Sequence, residues 1–416
     1  MTPRDRIIRV RRSLLFGASL TAAFFFNQPS RDALAQTSTP EALIAGFTAF
    51  GIECFQYHAG PDSNFVVSPL SLSITAAMVQ SAATGETRAE LEAATHVGAM
   101  PDSLHLEVKS LVDALESGIG NGATLTSANC VWLDPLCKPR VAFRHALVHG
   151  YGAVLGQTKP FAAPEDVAAE LNQAIAERTG GRIRALLSPR LFDAGTEAVL
   201  VSALHLVARW EYGFAPSGTK SRMFRTAHRG RIEVPMMHRR GILRYAEDRV
   251  ARLIELRDQT RKLAMLVVLP RHGCDLAALE RGLDPTRLAH WRSTLTDRTV
   301  DLELPRFALH SEVDVRAFLD ARGVRRVFDT LDAELPGLCV SGQKAIGAMR
   351  QGVTVEIDEQ GIEAAAATIA VTTWGGIREY RGRPIAFHAD RPFLFLVLDA
   401  NLGTVLFIGH VVDPAS

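Results

Sequence analysis

The stretch Asp358-Glu359-Gln360-Gly361-Ile362-Glu363-Ala364-Ala365-Ala366-Ala367-Thr368-Ile369-Ala370-Val371-Thr372-Thr373 decides how this chain is read. It opens with an acidic turn and a glycine, then runs through consecutive small side chains. Alanine has the highest helix propensity, so a short alanine helix is the plain alternative. Four alanines cannot sustain an isolated helix, and the β-branched residues that follow favour extended backbone. The segment is therefore ambivalent: loosely extended or helical when exposed, acceptable as a strand where a slot is offered. Along a strand, alternate side chains share a face. Ile362, Ala364, Ala366, Thr368, Ala370 and Thr372 form a face with no charge and mostly small residues. A charge buried there without a partner would cost several kcal/mol.

Working outward, a strand-like run, Val353-Thr354-Val355-Glu356-Ile357, leads into this segment. Two more strands close the chain, Phe393–Leu398 and Thr404–Val412. The five residues between them, Asp399-Ala400-Asn401-Leu402-Gly403, suit a hairpin turn. Val199-Leu200-Val201, Ile254-Glu255-Leu256, Leu263–Leu269 and Val300–Leu304 are further apolar or alternating runs of strand length. The first half reads differently. Thr39-Pro40-Glu41 is a helix start, followed by Leu43, Ile44, Phe47, Phe50, Cys54 and Phe55 at helical spacing. A short strand, Phe65-Val66-Val67, precedes a helix over about Leu70–Ser81. Further helices are predicted near Thr87–Thr95, Pro101–Ser117 and Pro164–Arg178. Helices early and strands late predict an α+β fold with large antiparallel sheets.

Composition narrows the function. The chain has 46 Lys+Arg against 45 Asp+Glu, a formal charge of +1, which gives no reason to expect nucleic acid or an anionic membrane as partner. At the N-terminus Arg4, Arg6, Arg9, Arg11 and Arg12 precede an apolar run, Leu14–Phe26, too short for the ~20 residues of a membrane span. Ala33-Leu34-Ala35 then offers a small-x-small cleavage site, so residues 1–35 read as an export signal and 36–416 as one domain. An uncleaved N-terminal anchor is the alternative. Arg11-Arg12 before Ser13-Leu14-Leu15 also resembles a twin-arginine signal. Export would place the protein in the periplasm or outside the cell, with no membrane attachment after cleavage.

The cysteines, Cys54, Cys130, Cys137, Cys274 and Cys339, show no metal-ligand spacing; Cys130 and Cys137 are close enough in sequence to pair in an oxidising compartment. No cofactor or metal is expected. Catalytic motifs are also missing. The chain has no G-x-S-x-G elbow, no H-E-x-x-H and no P-loop, and Ser68-Pro69-Leu70-Ser71 lacks the lysine of an S-x-x-K nucleophile. Its thirteen histidines lie scattered without ligand spacing. Catalytic residues are therefore expected to be none.

Gly361-Ile362-Glu363-Ala364-Ala365-Ala366-Ala367-Thr368 resembles the proximal hinge of a serpin reactive-centre loop. Similar family-like segments run from about residue 41 to 414. Asn64-Phe65-Val66-Val67-Ser68-Pro69-Leu70-Ser71 resembles the shutter, and Trp210-Glu211 with Phe214 the breach. Val234-Pro235-Met236-Met237, Leu304-Pro305-Arg306-Phe307 and Asp390-Arg391-Pro392-Phe393-Leu394-Phe395 are also similar to the family. The resemblance implies a serpin fold with an exposed reactive-centre loop at about 359–386. It also implies an irreversible suicide-substrate inhibitor of a serine, or alternatively a cysteine, peptidase, acting as a monomer. The peptidase would attack the loop and form an acyl-enzyme, its covalent complex. The freed loop would then insert into the large sheet as a new strand. Implied functional positions are the hinge from Glu359 and Gly361 through Thr368, with Ser68, Pro69, Ser71, Ser202, Trp210 and Gln351 at the shutter and breach.

The chain departs from the family pattern in several places. Counting from Gly361 puts the scissile bond at Gly375-Gly376, yet Gly361 to Pro392 spans 31 positions, more than the family leads one to expect. Arg378, Arg381 and Arg383 are alternative residues before the bond, suited to a trypsin-like enzyme. Ile362 stands where the family usually has a small hydroxyl residue, and its bulk is expected to slow the first step of insertion. Gln351 and Ser202 replace a usual histidine and asparagine, which predicts an altered shutter network. The competing reading is a non-inhibitory serpin-fold binding or carrier protein, cleaved as a substrate.

Overall fold

The computed structural model describes residues 40–96, 103–119, 123–157, 163–192, 198–339, 345–362 and 383–416. Among these the helices are α1 (Pro40–His58), α2 (Pro69–Ala82), α3 (Gly85–Thr95), α4 (Leu104–Ile119), α5 (Val141–His145), α6 (Pro164–Arg178), α7 (Leu276–Arg281), α8 (Pro285–Thr294) and α9 (Val315–Ala321). The strands are β1 (Phe65–Val67), β2 (Ala123–Leu133), β3 (Val154–Gln157), β4 (Ala198–Arg209), β5 (Lys220–Arg225), β6 (Arg231–Glu247), β7 (Ala251–Arg257), β8 (Leu263–Pro270), β9 (Thr296–Pro305), β10 (Phe307–Asp314), β11 (Ala348–Ile357), β12 (Gly361–Ile362), β13 (Ile385–His388), β14 (Phe393–Asp399) and β15 (Val405–Val411). The predicted α+β division is what the chain adopts.

Two sheets carry the structure. One has nine strands in the order β1-β15-β14-β8-β7-β6-β9-β13, with β5 on β6. Its centre is made by β8, β14 and β15, whose every residue is buried, as continuous apolar runs require. The predicted hairpin joins β14 to β15: Asp399 Oδ1 accepts the amides of Asn401 and Leu402, and Gly403 takes φ +80°. The other sheet has the order β10-β11-β12-β4-β2-β3. Helix α2 lies in the main core and is buried on nearly every side. Ser68 caps it, accepting the Ser71 amide, with Pro69 at the first turn. Helix α6 packs Val167, Leu171 and Ile175 on the opposite face of the six-stranded sheet, over Val199, Val201 and Ala203.

Two features depart from expectation. Strand β2, Ala-Thr-Leu-Thr-Ser-Ala-Asn-Cys-Val-Trp-Leu, is absent from the sequence reading because its first half is polar and partly exposed, so no apolar run marks it. The pairing of Cys130 with Cys137 does not occur. Cys130 packs under α6, whereas Cys137 belongs to the main core on the other side of the sheet.

Candidate functional site

The site is the parting line between β4 and β11. At its foot these strands pair in parallel, Ala348 with Val199 through Val353 with Leu204. Higher up, β12 lies between them. Ile362 is opposite Ile357 of β11 and Ala208 of β4, and Gly361 is opposite Arg209. The chain has turned back on itself and entered the gap that it borders.

Local chemistry explains the turn. Asp358 Oδ1 accepts the amides of Gln360 (2.7 Å) and Gly361 (3.0 Å), an aspartate turn that reverses the chain at the end of β11. Gly361 is required by space: a Cβ there would stand 1.9 Å from the Ala208 carbonyl oxygen. Trp210, 3% exposed, holds the turn from the β4 side. Its Nε1 donates to the Asp358 carbonyl (3.0 Å) and its backbone amide to that of Gln360 (2.8 Å). Glu359 is the latch. Its carboxylate accepts Arg306 Nη2 at 2.5 Å and Thr219 Oγ1 at 2.6 Å, and its carbonyl accepts the amide of buried Phe214. Burial alone would raise this carboxyl, but the Arg306 and Thr219 hydrogen bonds and the Arg306 charge outweigh it and hold it below its ordinary value.

Below the hinge a chain of neutral side chains crosses the sheet. Gln351, Ser202 and Asn129 are in register on β11, β4 and β2. Gln351 Oε1 accepts the Ser68 amide, and its Nε2 donates to the Ser68 carbonyl and Ser71 Oγ. Ser71 and Ser202 hydroxyls meet at 2.5 Å, Ser202 donates to Asn129 Oδ1 at 2.6 Å, and Asn129 Nδ2 donates to the Tyr151 carbonyl. Since Ser202 gives its proton to Asn129, Ser71 must donate to Ser202. The relay runs one way, from Gln351 through Ser71 and Ser202 to Asn129, and every group in it is neutral.

The structure thus brings together Ser68, Ser71, Ser202 and Gln351 in one network, with Pro69 starting the helix that carries it. Glu359, Gly361, Ile362 and Trp210 meet at the hinge. Glu363, Ala364, Ala365, Ala366, Ala367, Thr368, Gly375, Gly376, Arg378 and Arg381 lie outside the described residues; Arg383 is exposed just before β13. One boundary is corrected. The exposed loop does not begin at 359, because Glu359 is buried by its latch and Ile362, 2% exposed, is already a strand residue. Nor does it reach 386, because Ile385–His388 pair with Val300–Glu303 of β9. Sequence reasoning missed Asn129, Arg306, Thr219 and Asp358 as working residues. Arg306 stood in a quoted motif, but nothing in sequence ties it to Glu359, 53 residues away.

A family model described as serpin, serine protease inhibitor, matches residues 45–414. This chain is a serpin. Among curated relatives, leukocyte elastase inhibitor A of Mus musculus is 30% identical over 384 residues, covering 90% of this chain and all of its own. A serine protease inhibitor of Cyanea capillata is 28% identical, covering 86% of this chain and 94% of its own. Native protease nexin-1, solved with heparin, superposes with TM-score 0.81 at 25% identity, over 90% of this serpin and all of that chain. Uncleaved ovalbumin reaches the same TM-score at 23% identity, a likeness of fold.

Among the described residues no three of His, Cys, Asp and Glu are grouped to hold a metal ion. None of the described helices is long and apolar enough to cross a membrane.

Proposed function

We propose that this serpin inhibits a peptidase by suicide trapping, and that it acts as a monomer after export directed by residues 1–35. The observation that carries this reading is β12: the hinge already occupies the head of a slot between β4 and β11. A peptidase serine, or cysteine, attacks the carbonyl carbon of Gly375. An ester or thioester forms, the peptide bond to Gly376 breaks, and the new amine leaves with a proton. The freed loop then continues β12 down the slot and drags the acyl-enzyme with it before water can release it. Arg378, Arg381 and Arg383 are the alternative positions before the bond.

The register of β12 supports the reading. Continued downward, it sets Ala364 beside Leu206 and Val355, Ala366 beside Leu204 and Val353, and Ala370 beside Leu200 and Met349. All six neighbours are buried aliphatic residues on the core face, so small side chains are what the slot can admit. Ile362 is the exception in size, but it is seated before any cleavage. On this reading the bulk of Ile362 is accommodated before insertion begins rather than during it.

The test incubates the mature protein with trypsin-like, elastase-like, subtilisin-like and papain-like peptidases, read by denaturing gel and intact mass. A stable high-mass adduct with a released C-terminal peptide is expected, and the mass of that peptide locates the bond. Peptide release with the peptidase still active would instead identify a carrier cleaved as a substrate.

A further inference from the structure

At the foot of the parting line Cys137 lies against the backbone of the residue that precedes Cys339. After β2 ends at Leu133, the turn through Asp134 carries Cys137 inward to full burial, with its amide on the Asp134 carbonyl at 2.9 Å. There the Arg140 amide donates to the Gly337 carbonyl at 3.0 Å, and Cys137 Sγ lies 3.3 Å from the Leu338 carbonyl oxygen. The next residue is Cys339, 4% exposed and in the same core cluster. The other three cysteines have no such mutual neighbourhood: Cys54 lies inside α1, Cys130 under α6 and Cys274 in the turn before α7.

We infer that Cys137 and Cys339 form a disulfide when the chain folds in an oxidising compartment. The two thiols lose two protons and two electrons as the S–S bond forms, and a small-molecule or protein disulfide takes them up and becomes two thiols. Formation belongs to folding, because both sulfurs are enclosed once the core has closed. The bond has a mechanical consequence that rests on the proposed insertion. Cys137 is continuous with β2, which is bonded to β4 along its whole length, while Cys339 leads within nine residues into β11. Insertion must part β4 from β11, whose lowest links are Ala348 with Val199 and the Gly347 amide on the Ala198 carbonyl. The disulfide ties the two sides together at this end, farthest from the hinge. It leaves the head of the slot able to open and makes its foot stiffer.

The test uses the full chain refolded in a glutathione redox buffer, then denatured, alkylated and mapped by mass. A linked Cys137–Cys339 peptide is expected, with three alkylated cysteines and a thermal midpoint that falls by several degrees on reduction. Cys137→Ser and Cys339→Ser each abolish that fall, while Cys130→Ser keeps it. Five alkylated cysteines, or a link through another residue, overturns the assignment. The mechanical part is read without any peptidase, by annealing a synthetic peptide of residues 363–373 into the slot and following its incorporation. Because Ile362 already fills the head of the slot, the annealing peptide starts at residue 363, and incorporation at least threefold slower in the oxidised protein than in the reduced one is expected. Equal rates overturn the clamp while leaving the trapping mechanism to its own test.

Discussion

Thr368 gives the sharpest test of the slot. Gly361 opposite Arg209 and Ile362 opposite both Ala208 and Ile357 fix the register of any longer strand, and Thr368 then falls between Ser202 and Gln351. Six residues beyond Ile362, it shares the core-facing side, so its hydroxyl arrives where Gln351, Ser71 and Ser202 now join. Thr368→Asp would bring a carboxylate into a site whose members Ser202 and Gln351 have no exposed surface, with no cation in the relay to meet it. Such burial costs several kcal/mol. The insertion that opposes it gains on the order of ten kcal/mol, about one per net hydrogen bond. The charge thus removes a large part of the drive at the middle of the path. Thr368→Val keeps the shape and leaves relay groups short of one partner, at about 1–3 kcal/mol. Ala365→Asp is the control, because Ala365 lands on the outer face beside His205 and Thr354, both half-exposed. The assay counts inhibitor molecules consumed per peptidase inactivated and compares thermal midpoints of native and loop-cleaved protein. Thr368→Asp should be cleaved without adduct and gain little midpoint on cleavage. Thr368→Val and Ala365→Asp should stay within about threefold of the parent, a factor worth less than 1 kcal/mol. Trapping by Thr368→Asp at the parental level would refute the register, and with it the argument from Ile362.

Other consequences can be measured separately. Because Glu359 is held below its ordinary value of 4.5, its stabilising contribution is fully present above that pH and is lost as pH falls through the lower folded value. Glu359→Gln should therefore lose about 1–3 kcal/mol in chemical denaturation at pH 7, with the gap to the parent narrowing as acid is added below pH 4.5; a gap that never narrows would refute the latch. Gly361→Ala would place a methyl against the Ala208 carbonyl, so β12 should leave the slot and the Ile362 amide should exchange with solvent deuterium at least tenfold faster. Unchanged exchange would mean that Ala208 simply yields. Asn129→Ala removes the acceptor of Ser202 and should cost about 1–3 kcal/mol of native stability; no change would show that the relay ends at Ser202.

The parts of the fold visible in sequence are those where one physical demand acts alone. The segments β8, β14 and β15 are buried on both faces and read as continuous apolar runs, and their hairpin carries its own turn residues. Helix α2 shows its serine cap and proline start. The small uncharged face from Ile362 to Thr372 was legible for the same reason. Where several demands meet, sequence is silent. Asn129 looks like any polar residue in a mixed strand, and it becomes the end of the relay only because β2 lies beside β4 in one register. The pairing of Glu359 with Arg306 depends on how β11 and β10 end together. Asp358-Glu359-Gln360 has the composition of a solvent-exposed turn, yet Trp210, Thr219 and Arg306 enclose it. That is why a loop start at 359, read from composition, falls four residues too early.

The proposed trapping requires that a chain with a deeper state available remain in this one, and the same geometry supplies a reason. The slot is shut by six residue pairs of parallel ladder, a weaker pairing per residue than the antiparallel ladders that insertion would create on both flanks. Closed is therefore the less bonded arrangement. What keeps it closed is the order in which bonds must break. To admit Thr368, Gln351 must first separate from Ser202, and that separates the relay that Ser71 joins across them. The groups exposed at that moment are buried donors and acceptors without partners, at about 1–3 kcal/mol each. Before cleavage the chain is anchored on either side of the proposed bond, by Ile362 in the slot and by Ile385 in β13. Cleavage between those anchors releases one end, and each residue that enters can then replace the bonds just broken. The proposed mechanism thus places a kinetic barrier at the relay. Since the relay side chains are all neutral amides and hydroxyls, acid would act at the head of the slot through the hinge latch at Glu359 rather than through the relay.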